Sequence, residues 1–107
     1  MARKALLGNL TDSDLRLLRV FSSVAACGGF AAAELELNIN RSTISRHIKD
    51  LETRLGVTLC RRGRGGFALT NEGSQVLASA QKMMAAMAEF RHGVDELHQR
   101  LTGSLAL

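Results

Sequence analysis

The chain has 107 residues, room for one small domain and a further element but not for two full-sized domains. With 46% hydrophobic and 22% charged residues, its composition is close to ordinary globular usage and favours neither disorder nor a collagen-like or membrane class. The net charge of +4 makes a polyanion a reasonable partner, while the absence of Trp and Tyr and the presence of only four Phe leave it poorly supplied with the stacking platforms that single-stranded nucleic acids use, which weakens that reading.

Residues 1–10 (MARKALLGNL) form a loosely patterned lead-in. Thr11 and Asp14 fit a capping box, and Leu17, Leu18, Phe21, Val24 and Ala25 recur at helical spacing, so a first helix is predicted from about Asp12 to Ala26. Gly28-Gly29 stops it. Phe30 to Leu37 (FAAAELEL) reads as a short second helix with Phe30, Ala33 and Leu37 on one side. Asn38-Ile39-Asn40 follows as a tight connection, and the Asn40 side-chain oxygen can accept from an orphan amide at the start of a third helix. In that helix Ile44, Ile48, Leu51 and Leu55 fall at i, i+4, i+7 and i+11, one apolar stripe closed by Gly56. A short helix, a three-residue turn with an apolar middle and a longer amphipathic helix together make a helix-turn-helix.

Leu59–Arg62 and Phe67–Leu69 flank Gly63-Arg64-Gly65-Gly66 and predict a β-hairpin with a basic, glycine-rich tip, a wing. Thr70 is positioned to cap a final helix from Asn71 to about Arg100, with no Pro and one interior glycine, Gly93. Such a helix would be roughly 45 Å long. The fold expected is mainly α: a winged helix-turn-helix over residues 1–70, a linker and dimerisation helix over 71–101, and a closing 102–107 segment. Cys27 and Cys60 stand apart among apolar neighbours and read as small buried hydrophobes. No N-terminal stretch has the order of a signal peptide and no run of about 18 apolar residues is available to span a bilayer, so the compartment expected is the cytoplasm, with no membrane partner.

Charge is concentrated rather than spread. Between Arg41 and Gly66 stand seven basic and two acidic residues, a net +5 that leaves the remainder slightly acidic. On a helical wheel the face opposite the apolar stripe of the third helix carries Ser42, Arg46, Lys49 and Thr53, flanked by Thr43 and Asp50. Short hydroxyl residues permit close approach to a major groove, and an arginine can donate to guanine O6 and N7 together, so Arg46 is the expected base reader, with Ser42, Thr43, Ser45 and Lys49 beside it. Arg41 and His47 either touch phosphates or stay solvated. The wing offers Arg61, Arg62 and Arg64 beside glycines that let backbone lie near a phosphate, contacts that position more than they specify. Arg62 has an alternative in an internal ion pair, for instance with Glu52.

Along the last helix Val76, Ala80, Met83, Met87, Phe90, Val94, Leu97 and Leu101 are spaced 4, 3, 4, 3, 4, 3, 4, a heptad seam. An ordinary core helix has the same pattern, but the preceding residues are too few to cover so long a helix, which predicts a second copy of the chain. Two-fold pairing would present two recognition helices to a roughly palindromic duplex DNA operator. There is no phosphate-binding Walker loop, HExxH, Cys-x-x-Cys or nucleophile elbow. His92, Asp95, Glu96 and His98 sit at metal-like spacing but read as solvated polar residues of a coiled-coil exterior. Neither an enzyme nor a bound metal or cofactor is expected. A protein-docking module is the rival reading, and the +5 stretch argues against it.

These motifs resemble the LysR-type bacterial transcription regulators from about Leu10 to Gly73. LRLLRVFSSVAACGGF resembles the family's opening helix, NRSTISRHIKDLETRLG its recognition helix and LCRRGRGGFALTNEG its wing and the start of its linker helix. The resemblance implies homodimerisation through the long helix and DNA contacts at Ser42, Thr43, Arg46, Lys49 and the basic wing. It also implies that TGSLAL begins an effector-binding domain, so any small-molecule effector would act through a C-terminal domain absent from this sequence. Arg41 stands where the family often has Gln, Cys60 and Arg61 where it often has Phe and an acid, and Glu34 where it usually has Ala.

Overall fold

A computed structural model of the chain describes residues 10–63 and 66–102. Helix α1 spans Asp12–Cys27, α2 Phe30–Leu37, α3 Arg41–Leu55 and α4 Asn71–Thr102, and between α3 and α4 strands β1, Cys60–Gly63, and β2, Gly66–Leu69, form an antiparallel hairpin. Three helices, a wing and a long helix are the winged helix-turn-helix predicted. By internal packing the chain divides into two compact units, one ending at Leu77 and the other starting at Ala78 within α4.

Several helix ends in the first unit have a local chemical cause. Thr11 and Asp14 form the predicted capping box: the Asp14 N–H donates to Thr11 Oγ1 at 3.1 Å and the Thr11 N–H to Asp14 Oδ2 at 3.0 Å. Gly28, at φ 81°, ends α1 one residue later than expected, its amide and that of Gly29 bonding back to the Val24 carbonyl at 3.0 and 3.1 Å. Asn40 starts α3 by accepting the Thr43 N–H at 2.8 Å.

The core of this unit draws on its first three helices: Leu17, Leu18, Val20, Phe21 and Val24 from α1, Phe30 and Ala33 from α2, and Ile44, Ile48 and Leu51 from α3, with Leu59 just before the hairpin. Burial of each large side chain stabilises by about 1.5–3 kcal/mol. Leu55, the last residue of the predicted stripe, is 38% exposed. Arg54 ties the end of α3 to the start of α1 through Asp14 Oδ1 at 2.6 Å and bonds Asp50 within its own helix at 3.1 Å. The Asp14 carboxyl is held below its ordinary range, first by the Thr11 amide and then by the Arg54 guanidinium.

The strand begins one residue later than the sequence pattern indicates, because the Leu59 amide is committed to Glu52. Its side chain is fully buried, its amide donates to Glu52 Oε2 at 2.8 Å, and its carbonyl accepts the Thr70 N–H at 3.0 Å. Thr70 in turn donates its hydroxyl to the Thr58 carbonyl at 2.5 Å and accepts the Gly73 N–H at 2.8 Å, capping α4 as expected. At Gly73 there is no room for a Cβ, which would overlap the Leu59 carbonyl group. Glycine in the first turn of α4 is therefore a packing requirement that the sequence reading, attentive only to Gly93, passed over.

In the second unit the apolar seam of α4 is open from Met87 onward. Phe90 and Leu101 are 73% and 76% exposed, and Met87, Val94 and Leu97 are exposed with them. Met83 is half-buried and Ala80 buried, as Val76 in the first unit is half-buried. Exposed i,i+4 pairs, Arg91 with Asp95 and His92 with Glu96, both at 3.4 Å, line the helix. Among the described residues no His, Cys, Asp or Glu cluster is placed to hold a metal and no helix is long and apolar enough to cross a membrane. Thr102 ends α4; the other residues of the expected 102–107 segment, 103–107, lie outside the described residues.

Candidate nucleic-acid interface

Because Ile44, Ile48 and Leu51 face the core, the opposite side of α3 is left to solvent. Arg41, Ser42, Arg46, Lys49, Asp50 and Thr53 are exposed, while Thr43, Ser45 and His47 are half-buried at the flanks. The Thr53 hydroxyl donates to the Lys49 carbonyl at 3.0 Å, so it is partly engaged by its own helix. Ser42, Arg46 and Lys49 thus share one accessible ridge.

Among the described residues, Arg62 ties the wing to that helix and to Phe30. Arg62 Nη2 donates to Ser45 Oγ at 3.3 Å, and its guanidinium lies over the Phe30 ring, Cζ 4.3 Å from the centroid. Phe30 also meets Phe67 of β2 edge-to-face, with centroids 6.0 Å apart. Glu52, the ion-pair partner considered for Arg62, gives its carboxylate to the Leu59 amide instead. Arg62 is therefore tied down internally, by a hydroxyl and a ring rather than by an acid. Arg61 points free of this contact on the exposed strand, and Arg64 lies outside the described residues.

Under the junction of α3 and β1 lies a cleft of about 400 Å³ lined by Ser45, Lys49, Glu52, Cys60 and Arg62 among others. Burial, and then the nearby Glu52 carboxylate, push the Cys60 thiol above its ordinary range despite the opposing charge of Arg62. Held protonated by burial and by Glu52, this thiol is a weak nucleophile at neutral pH.

Comparison with known proteins fits this geometry. The profile of the bacterial regulatory helix-turn-helix proteins of the lysR family matches residues 15–74, from within α1 to the first turn of α4. The chain belongs to the LysR family. The HTH-type transcriptional activator BauR of Pseudomonas aeruginosa is 51% identical over 104 residues, which are 97% of this LysR-family chain and 34% of BauR. This chain thus spans about a third of the length of that curated relative. Among solved structures, a CbnR_DBD-DNA complex superposes with a TM-score of 0.71 at 30% identity, covering 78% of this chain and 97% of the other. A BenM_DBD/benA site 1 DNA complex gives 0.74 at 30% identity, over 78% and 94%. These LysR-family relatives are transcription regulators and not enzymes.

Glu34 is the residue at this interface that sequence reasoning noticed without understanding. Its carboxylate reaches across the turn to the Arg41 amide at 2.5 Å. The departure from the family's usual Ala was the available signal.

Proposed function

We propose that this chain is the DNA-binding and dimerisation part of a LysR-type transcription regulator, working as a homodimer on duplex DNA in the cytoplasm. The observation that carries the reading is the exposed ridge of Ser42, Arg46 and Lys49 on α3, backed by a stripe of buried Ile44, Ile48 and Leu51. Arg46 reads a guanine edge; Ser42, Thr43, Ser45 and Lys49 contact adjacent bases or phosphates; Arg41, Arg61, Arg62 and Arg64 add charge along the backbone. Contact by Ser45 or Arg62 would have to replace or share the bond they make with each other.

Dimerisation runs along α4. The exposure of Phe90, Val94, Leu97 and Leu101 supports a partner helix over the seam that begins at Val76 and continues through Ala80, Met83 and Met87. A two-fold dimer implies a roughly palindromic operator. The short span relative to BauR supports an effector-binding domain after residue 102 in the whole regulator, where a small molecule would act. Residues 1–70 then serve as the reading head and 71–101 as the linker.

The deciding experiment is selection of duplexes from a random pool followed by titration at several salt concentrations. Preferred binding that weakens with salt supports the reading, whereas salt-dependent binding without preference, or none, refutes it. Arg46→Ala should cost about 1–3 kcal/mol and relax preference at one position. Light scattering of Phe90→Glu, with a charge placed in the seam, should show loss of the dimer.

A further inference from the structure

Glu34 of α2 holds both ends of the turn that leads into the recognition helix. Its main-chain carbonyl accepts the Asn38 N–H at 2.8 Å, closing α2 with Asn38 in the left-handed conformation at φ 59°. Its side chain accepts the N–H of Arg41, the first residue of α3. One residue therefore bonds to the last turn of one helix and the first amide of the next.

A cap taken from the adjacent sequence, as Asn40 supplies to Thr43, fixes how a helix begins but not where the helix lies. A cap reaching over from the preceding helix fixes helix against helix. That matters here because α2 offers little apolar surface to hold α3: Phe30 and Ala33 are buried, whereas Ala31, Ala32, Leu35 and Glu36 are exposed. Charge adds a second effect. The start of a helix carries roughly half a positive charge and is a ready site for a phosphate. Here, two of the first three amides of α3 are already taken by the chain's own side chains, one of them by a carboxylate that also repels phosphate.

We infer that Glu34 is a positioning residue of the recognition helix that sharpens discrimination between DNA sequences. It holds the aim of α3 toward base edges and withholds the first amide from indiscriminate phosphate contact. The inference rests on the DNA-binding reading above and assigns Glu34 no contact with bases.

The test compares the unaltered chain with Glu34→Ala and Glu34→Gln on two duplexes, the one enriched from a random pool by the unaltered chain and a scrambled duplex of the same composition. Salt concentration is varied, and exchange of the Arg41 backbone amide is followed by NMR. Alanine favours helix more than glutamate does, so α2 is retained. In Glu34→Ala the Arg41 amide should exchange several-fold faster. The affinity ratio between duplexes should fall by about five-fold or more, the equivalent of one lost cap, with scrambled-duplex binding unchanged or tighter. Glu34→Gln keeps an acceptor oxygen and should hold most of the ratio while gaining scrambled-duplex affinity at low salt.

A Glu34→Ala chain with an unchanged ratio, or with both affinities reduced in proportion, overturns the inference, as does a Glu34→Gln chain no better than Glu34→Ala. If instead the unaltered chain cannot distinguish the duplexes, the DNA-binding reading is what fails. Arg41 exchange still reports on the clamp, and an unchanged rate in Glu34→Ala refutes it.

Discussion

Gly73→Ala and Gly93→Ala are the same substitution in the same helix and should have opposite signs. In an open helix interior, replacing Gly by Ala stabilises by about 0.5–1 kcal/mol, because it restricts the unfolded chain. Gly93 meets that condition, since a Cβ there finds nothing within 4 Å. At Gly73 the added carbon would sit 2.8 Å from the Leu59 carbonyl carbon and 3.2 Å from its Cα, with the oxygen closer still. Those atoms are backbone, pinned by Glu52 on the amide side and Thr70 on the carbonyl side, so they cannot rotate away. The first turn of α4 must withdraw instead. Three bonds then loosen: Thr70 N–H to Leu59, the Thr70 hydroxyl to Thr58, and Gly73 N–H to Thr70. At about 1 kcal/mol net for each bond, with about 1–3 kcal/mol of overpacking strain and the helix gain subtracted, the loss comes to about 3–5 kcal/mol. For a domain of this size that lowers the melting temperature by about 12 °C or more. Thermal and urea unfolding followed by circular dichroism at one fixed chain concentration measures both variants. A Gly73→Ala chain that melts at or above the unaltered one would refute the argument from close approach.

Other substitutions probe the remaining devices. Asn40→Ala removes the local cap of α3 and should cost about 1 kcal/mol, seen as a lower urea midpoint with unchanged slope. Asp14 has its folded pKa depressed below 3.8, so its stabilisation is complete above that value and is lost as pH falls through the lower folded one. The difference in melting temperature between the unaltered chain and Asp14→Asn should therefore shrink on going from neutral to strongly acid pH; a gap of constant size contradicts the assignment. Arg62→Ala, lacking the contact with the Phe30 face, should destabilise the free domain by about 0.5–1 kcal/mol, and a melting curve identical to the unaltered one would show that the contact contributes nothing.

Local signals carried the outline of this fold. Thr11 with Asp14, Gly28-Gly29, Asn40 and Gly56 mark helix ends through chemistry confined to a few residues, and the structure places the ends within a residue of where those signals put them. The accessible ridge of α3 was legible because its periodicity leaves only one side for Ile44, Ile48 and Leu51 to hide. What escaped is interaction between residues far apart in sequence. Arg54 meets Asp14 across 40 positions, and Arg62 meets Ser45 across 17; no spacing rule distinguishes those partners from others of the same charge or polarity. Glu52 illustrates the ambiguity: the sequence offered it as a mate for Arg62, whereas an otherwise unsatisfied amide at Leu59 claims it.

The half-buried thiol of Cys60 gives the molecule a reporter of its own. A raised pKa and partial cover leave little thiolate at neutral pH, so alkylating reagents should react with it slowly while the wing stays seated against α3. Opening that junction would expose the sulfur and speed its labelling. In a chain with no Trp or Tyr to fluoresce, and with Cys27 replaced by Ala, the labelling rate would count how often the hairpin lifts from the body, a local motion that global melting averages away.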